Sequence, residues 1–235
     1  MQMKEIVGNK ARREFWLEGA LASIPEGTRI LDAGAGELQY KRFCKHLDYV
    51  AQDFGQYDGE GSGDALQTGT WDNSKLDIVS DIAEIPEADG SFGAIMCIEV
   101  FEHIPHPICA IKEFSRLMAP GGTLIITAPV SSLTHFAPYY FYNGFSRYFY
   151  ETHLKAAGFE IEKLEFNSNY FDYVAQEVRR TRKIGRQYSK VGFFRKQILK
   201  ISGSIFANQL SYLSKHDTGS SELLSFGVHV QARKI

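Results

Sequence analysis

A chain of 235 residues with 44% hydrophobic, 23% charged and 13% aromatic content has a globular composition, which excludes a disordered or fibrous protein. The net charge of −2 excludes a polycation built for nucleic acid, and three cysteines (Cys44, Cys97, Cys109) without CxxC spacing argue against a disulfide framework or a zinc knuckle. Met1 to Lys10 is polar, and no stretch reaches the roughly 18 apolar residues of a membrane span, so the expectation is a soluble, cytoplasmic, metal-free protein.

Residues 11–24 (ARREFWLEGALASI) read as a helix packed outside a sheet. Gly27 to Gly36 (GTRILDAGAG) is an apolar run ending in glycines, hence a buried strand and a tight turn. The mixed 3–4 spacing of Leu38, Tyr40 or Lys41, Phe43 and Leu47 predicts a helix over 37–47. Further strands are expected at DYVAQDF (48–54), KLDIVSDI (75–82), SFGAIMCIEV (91–100) and GGTLIITAPV (121–130). Pro107 to Met118 gathers Ile108, Ile111, Ser115 and Met118 on one face, a helix stopped by Pro120-Gly121-Gly122. Tyr148 to Ala157 reads as a helix capped by Gly158; FEIEKLEF (159–166) alternates as a strand, and so does the C-terminal segment at about 223–233.

Strands alternating with helices predict an α/β fold: a doubly wound, mostly parallel seven-stranded sheet, Rossmann-like, in a single domain. A cofactor core is expected at about 10–130, an acceptor or lid region at 131–160, and a basic helical insertion at about 172–220. Gln176 to Lys200 holds nine Lys or Arg against one Glu, a net of +8, so the other 210 residues carry −10 of the chain's −2. Gly55 to Asn73, long and glycine-rich, reads as a surface loop rather than a flap.

A strand running into Asp32-x-Gly34-x-Gly36 and then a helix would build a nucleotide crevice, the helix N-terminus offering free N–H groups. The third glycine of the dinucleotide fingerprint would fall at Gln39, so a pyrophosphate is not supported. Asp53, at the end of the next strand, lies where a carboxylate can accept both hydroxyls of a ribose. A nucleoside without diphosphate fits what remains.

ILDAGAG (30–36), Asp53, Asp81-Ile82, EIPEADGSFGAIMCIEVFEHIPHP (84–107) and LMAPGGTLIITAP (117–129) together resemble the ordered motifs of class I S-adenosylmethionine-dependent methyltransferases. The region 131–166 is similar to bacterial members of the small-molecule and surface-glycan type. The resemblance implies S-adenosyl-L-methionine as cofactor and S-adenosyl-L-homocysteine as product. It implies that Ala33, Gly34, Ala35 and Gly36 pass beside the methionine portion, with Asp32 orienting its ammonium through water. Asp53 and the adjacent Phe54 would hold the ribose side, Asp81 and Ile82 the adenine, while Cys97, Ile98 and Glu99 would floor the pocket under the sulfonium. The activity implied is methylation of oxygen, before nitrogen, on a small molecule such as a sugar or surface-glycan precursor. The alternatives are an RNA methyltransferase and a catalytically silent binding module.

A hydroxyl acceptor needs a base, and His103, His106, His135, Glu99 and Glu102 offer one; His103 and His135 are the expected catalytic pair. His106, between two prolines, reads as structural. Tyr139 and Tyr140, in a dense aromatic run, and Arg147 are the expected acceptor contacts. The basic insertion could be a solvated face, a patch for an anionic membrane or phosphate-bearing acceptor, or an RNA contact; a homodimer is a further possible assembly.

Overall fold

The computed structural model describes residues 8–235. Its contacts divide the described residues into two compact units: Arg13–Glu165 with Gly227–Ile235, and residues 8–12 with Phe166–Phe226.

The larger unit is built on a seven-stranded sheet in the order β3-β2-β1-β4-β5-β7-β6. The strands are β1 (Arg29–Ala33), β2 (Asp48–Asp53), β3 (Ile78–Val79), β4 (Phe92–Ile98), β5 (Met118–Pro129), β6 (Phe159–Phe166) and β7 (Gly227–Lys234). β1 to β5 pair in parallel and β7 runs antiparallel to β5. β1 and β4 are apolar at successive positions because both of their faces are covered: Ile30, Leu31, Ile95 and Met96 are wholly buried. Pure alternation would have left one face wet. At the far edge β3 is only two residues long, with Val79 exposed, a short edge that gives other chains little to pair with.

Helix α1 (Asn9–Ala22) buries Trp16, Leu17, Ala20 and Leu21, an i, i+1, i+4, i+5 stripe whose large members contribute about 2 kcal/mol each. Helix α2 (Pro107–Leu117) starts on a proline at its first turn, where the missing N–H costs nothing, and buries Ala110, Ile111, Phe114 and Leu117. Helix α3 (Arg147–Ala156) ends before Gly158, whose φ of 80° is the left-handed conformation that closes a helix.

The predicted helix over 37–47 is not formed; the segment holds turns and a single 3-10 turn at Lys41–Phe43. Leu38 takes φ 59°, which breaks a right-handed helix at its first turn, and only Tyr40 and Cys44 are buried there. Two buried side chains four apart anchor one turn and are too few for a three-turn helix. The last strand begins at Gly227 rather than near 223, because Ser220–Glu222 form a 3-10 turn and Leu223 points to solvent.

The long segment 55–73 is not a free surface loop. Ser62 N–H donates to the Ala137 carbonyl at 2.9 Å, Gln67 Nε2 donates to the same oxygen at 3.1 Å, and Leu66 bridges to His135. Tyr57, Trp71 and Phe136 pack ring to ring with centroids 4.7–5.5 Å apart. Two loops rich in glycine and polar residues are thus stitched over the carboxyl ends of the strands, a pairing of residues some 70 positions apart that no local pattern announces.

The smaller unit is a helical hairpin, α4 (Tyr170–Tyr188) and α5 (Phe193–Lys215). Asn169 caps α4 by accepting from Asp172 N–H at 3.1 Å. Ala175, Ala207 and Leu210 form its buried centre with Phe171, Val174 and Val178 around them. Small residues let the helices approach: a Cβ on Gly203 would meet Val178 at 3.7 Å.

Candidate active site

The glycine turn follows β1 directly. Gly34 has φ 82°, and a Cβ there would sit 2.5 Å from the Val100 side chain, so both backbone shape and space require glycine. Gly34 and Ala35 donate their N–H groups to the Gln52 carbonyl, each at 2.8 Å, and Gly36 donates to Asp53 Oδ2 at 3.1 Å. The N–H groups of Gly34, Ala35 and Gly36 are therefore taken by the end of β2, and no α-helix follows the turn. A diphosphate would find no anion cradle here. An adenosyl sulfonium needs none, since it carries no phosphate. The donor set thus fits S-adenosylmethionine better than a dinucleotide.

Asp53 accepts from Gly36 on one oxygen and from Gly55 N–H on the other at 3.0 Å, which aims its carboxylate at the turn while each oxygen keeps a lone pair. Burial raises its pKa, and the backbone donors oppose that. Phe54 stands edge-on to Tyr139 at 4.9 Å, and Trp71 lies against Gly36, where an added Cβ would come within 2.5 Å of its ring. Asp81 is exposed at the end of β3 and accepts from Ala83 N–H at 2.8 Å, beside buried Ile82. Asp32 is enclosed and accepts from the Tyr49 hydroxyl at 2.5 Å; burial pushes its pKa up to about 7. Cys97 and Ile98 are buried in β4. Glu99 has φ 58° and both of its oxygens are taken, Oε1 by Thr127 at 2.9 Å and Oε2 by Arg13 at 2.9 Å. It braces the tip of β4 rather than presenting a free carboxylate.

His103 ends a 3-10 turn after β4 and His135 lies on the loop after β5, yet their rings meet edge to face at 4.6 Å. His103 Nδ1 lies 2.6 Å from the Tyr139 carbonyl and His135 Nδ1 lies 2.8 Å from that of Leu133. A carbonyl only accepts, so each Nδ1 carries a proton, and on His103, whose pKa burial lowers, Nε2 is left with its lone pair. Both Nε2 atoms converge on Glu102 Oε1, at 3.8 Å from His103 and 3.9 Å from His135. Phe136 packs within 5.1 Å of both imidazoles and, through Trp71, joins them to the glycine turn. The Tyr140 ring lies tilted against His135, with centroids 5.3 Å apart. His106 sits at the start of α2, where its carbonyl accepts from Cys109 N–H at 2.9 Å. Arg147 opens α3, pairs with Glu151 at 3.1 Å and covers the Tyr148 ring, which occupies its charge along its own helix.

Glu102, one of the five candidate bases, lies outside the expected catalytic pair yet joins this cluster. It is 1% exposed, Oε2 has no hydrogen-bond partner among the described residues, and burial, then Glu99, pushes its pKa up to about 8. Burial, then His135, lowers His103 to about 4, and its Nε2 is buried without a hydrogen bond. On β7, burial lowers His229 to about 3.

These shifts set a stability profile. Asp32 and Glu102 keep protons in the folded chain that the unfolded chain releases, so the stability they contribute is lost as pH rises towards 7 and 8. His103 and His229 refuse protons that the unfolded chain takes, so their contribution is lost as pH falls from 6.5 towards 4 and 3. The two pairs oppose each other between about pH 4.5 and 6.5, and only the acids act above that. Thermal unfolding is expected to give a level midpoint from pH 5 to 6.5 and a loss of about 2–3 kcal/mol by pH 8.5. Glu102→Gln should remove most of that loss; a midpoint that climbs through pH 8 in the wild type would contradict these assignments.

A parallel sheet with a glycine turn after β1, an acid at the tip of β2 and an antiparallel β7 beside β5 defines a Rossmann-like methyltransferase fold. The methyltransferase-domain family model matches residues 9–164, and the chain belongs to that family, the class I S-adenosylmethionine-dependent methyltransferases. It is 35% identical over 63 residues to the ubiquinone biosynthesis O-methyltransferase of Xanthomonas campestris pv. campestris (strain B100), covering 27% of this chain and 26% of that protein. It is 28% identical over 115 residues to the protein of the same name from Dechloromonas aromatica (strain RCB), 48% of each. The matches thus span from about a quarter to about half the length of these curated relatives. Haemonchus contortus phosphoethanolamine N-methyltransferase 2 in complex with S-adenosyl-L-methionine superposes with a TM-score of 0.54 at 18% identity, over 94% of this chain and 52% of that one, a likeness of fold.

Proposed function

We propose that this protein methylates a hydroxyl oxygen of a small molecule, using S-adenosylmethionine and a histidine base. The observation that carries the reading is the convergence of two imidazole Nε2 atoms on the buried Glu102 carboxyl, linked through Phe136 and Trp71 to the glycine turn. When bound, S-adenosylmethionine supplies an electrophilic methyl on a positively charged sulfur. Asp53 would accept from the ribose hydroxyls, with Phe54 beside it. The backbone of Ala33 to Gly36 would flank the methionine portion. Asp81 and the Ile82 N–H would meet the adenine, and Cys97 and Ile98 would close the floor. Asp32 and Glu99 would serve through Tyr49 and Arg13, keeping the turn and the strand tip in place.

The chain's task is then alignment and proton removal. A neutral Nε2 on His103 or His135 would take the acceptor's proton, and the Tyr139 and Leu133 carbonyls would hold each ring in the tautomer that permits it. Tyr139 and Tyr140 line the approach, and the rings of Phe54, Trp71 and Phe136 favour a flat acceptor. The relatives are named for O-methylation in ubiquinone biosynthesis, which supports a ring-bearing acceptor ahead of the sugar or surface-glycan precursor expected from the sequence.

A second reading rests on the donor set. Glu102, His103 and His135 bring ligand atoms within 4.8 Å of one another and could hold a metal ion. One assay separates the two: labelled methyl transfer from S-adenosylmethionine to a panel of phenols, sugars and amines, with and without a chelator. The base reading expects transfer to a hydroxyl that survives chelation. Loss of transfer on chelation, restored by a divalent cation, would assign the cluster to a metal instead, and transfer to amines alone would overturn the base. Retained cofactor binding with no transfer to any acceptor would favour the silent module.

A further inference from the structure

Helix α5 has two faces of opposite fate. Gly203, Ala207 and Leu210 turn towards α4, while Phe194, Ile198, Ile201, Ile205 and Tyr212, at i, i+4, i+7, i+11 and i+18, form a line on the other side. Leu199, Phe206 and Leu213 run parallel to it at sevenfold spacing. These are exposed side chains: Phe194 is 82% accessible, Ile201 61% and Ile205 60%. An apolar face of this length on a helix in water needs an occupant.

The charges say which. Arg179, Arg182 and Arg186 lie at i, i+3 and i+7 on α4, Lys190 sits in the turn, and Arg195, Lys196 and Lys200 follow on α5. Arg179 is held against Ser211 Oγ at 3.1 Å, and Arg180 pairs with Glu177 at 2.7 Å. Helix α5 itself contains no acidic residue. A second copy would bring a like-charged hairpin to this face, and RNA would have no use for a line of isoleucines. No helix among the described residues is long and apolar enough to cross a membrane. A basic hairpin that carries a line of large exposed apolar side chains suits the boundary of a bilayer, where the rings and aliphatic chains enter below anionic headgroups.

We propose that the α4–α5 hairpin docks the protein on the surface of an anionic lipid bilayer, with the outer face of α5 in the interface. The proposal does not depend on the methyltransferase reading. Co-sedimentation with vesicles of phosphatidylcholine, alone or mixed with phosphatidylglycerol, tests it. The wild type should partition onto the mixed vesicles and not onto pure phosphatidylcholine. Arg182→Gln/Arg186→Gln/Lys196→Gln should lower the partition coefficient roughly 100-fold, since each basic residue near an anionic surface is worth about fivefold. Phe194→Ser/Ile201→Ser/Ile205→Ser should abolish the part of the binding that resists high salt. Far-ultraviolet dichroism matching the wild type shows that both variants fold. Failure to bind the mixed vesicles would overturn the proposal. So would a doubling of mass in solution that the apolar variant abolishes, or tighter retention on RNA than on lipid.

Discussion

Replacing His103 and His135 together by alanine is expected to lower kcat for a hydroxyl acceptor about 10²-fold or more, while S-adenosylhomocysteine binds as before. A low pKa sets the lower bound: an imidazole held near 4 is unprotonated at every assay pH but takes a proton weakly. The same value predicts the acid limb. With His103 as the base, kcat/KM should stay level down to about pH 5 before it falls, where an unperturbed histidine would fail near 6.5. An amine presented in its neutral form attacks without help, so transfer to an amine analogue should be nearly unchanged in the double variant. That contrast separates a base from a merely structural pair. Equal loss for amine and hydroxyl acceptors would mean that the rings only hold the loop at Tyr139 and Leu133 in place.

Arg13→Ala is expected to cost about 3–5 kcal/mol of stability, a large share of what a domain of this size possesses. Arg13 reaches from α1 to Glu99 Oε2 at 2.9 Å and donates from Nε to the Tyr40 hydroxyl at 3.2 Å. Without it, the Glu99 carboxylate would stand next to buried Glu102 with the Thr127 hydroxyl as its side-chain donor among the described residues. Arg13→Met with Glu99→Gln should recover much of the loss, because removing both charges leaves neither uncompensated. Urea unfolding of the three proteins measures this; a single variant as stable as the double would show that the ion pair does not hold the tip of β4.

Much of the sheet was legible because its central strands are apolar runs bounded by glycine, proline and aspartate, signals that act over a few residues. The helix over 37–47 failed for the opposite reason: its spacing was helical, but the left-handed Leu38 and the shallow burial of the segment decided its shape, and neither shows in a pattern of residue types. His103 and His135 were legible as chemistry, being histidines after strand ends. Their meeting was not, since it depends on a loop drawn down by the Glu102 carbonyl, which accepts from Phe141 N–H at 2.9 Å. That the surface loop 55–73 is stitched to residues 134–137 was not legible, because those partners lie some 70 residues away. The use of the three turn N–H groups by Gln52 and Asp53 is a matter of where β2 ends in space. The strands' residues specify that end only through register with β1.

Titration calorimetry with S-adenosylhomocysteine measures most directly whether the space above β1 and β2 takes an adenosyl group without diphosphate. The wild type should bind it and Asp53→Ala should bind it about 30–100-fold more weakly, the loss of a carboxylate hydrogen-bonded to ribose, while NAD gives no heat. Heat from NAD with none from S-adenosylhomocysteine, or equal affinity in Asp53→Ala, would contradict the account.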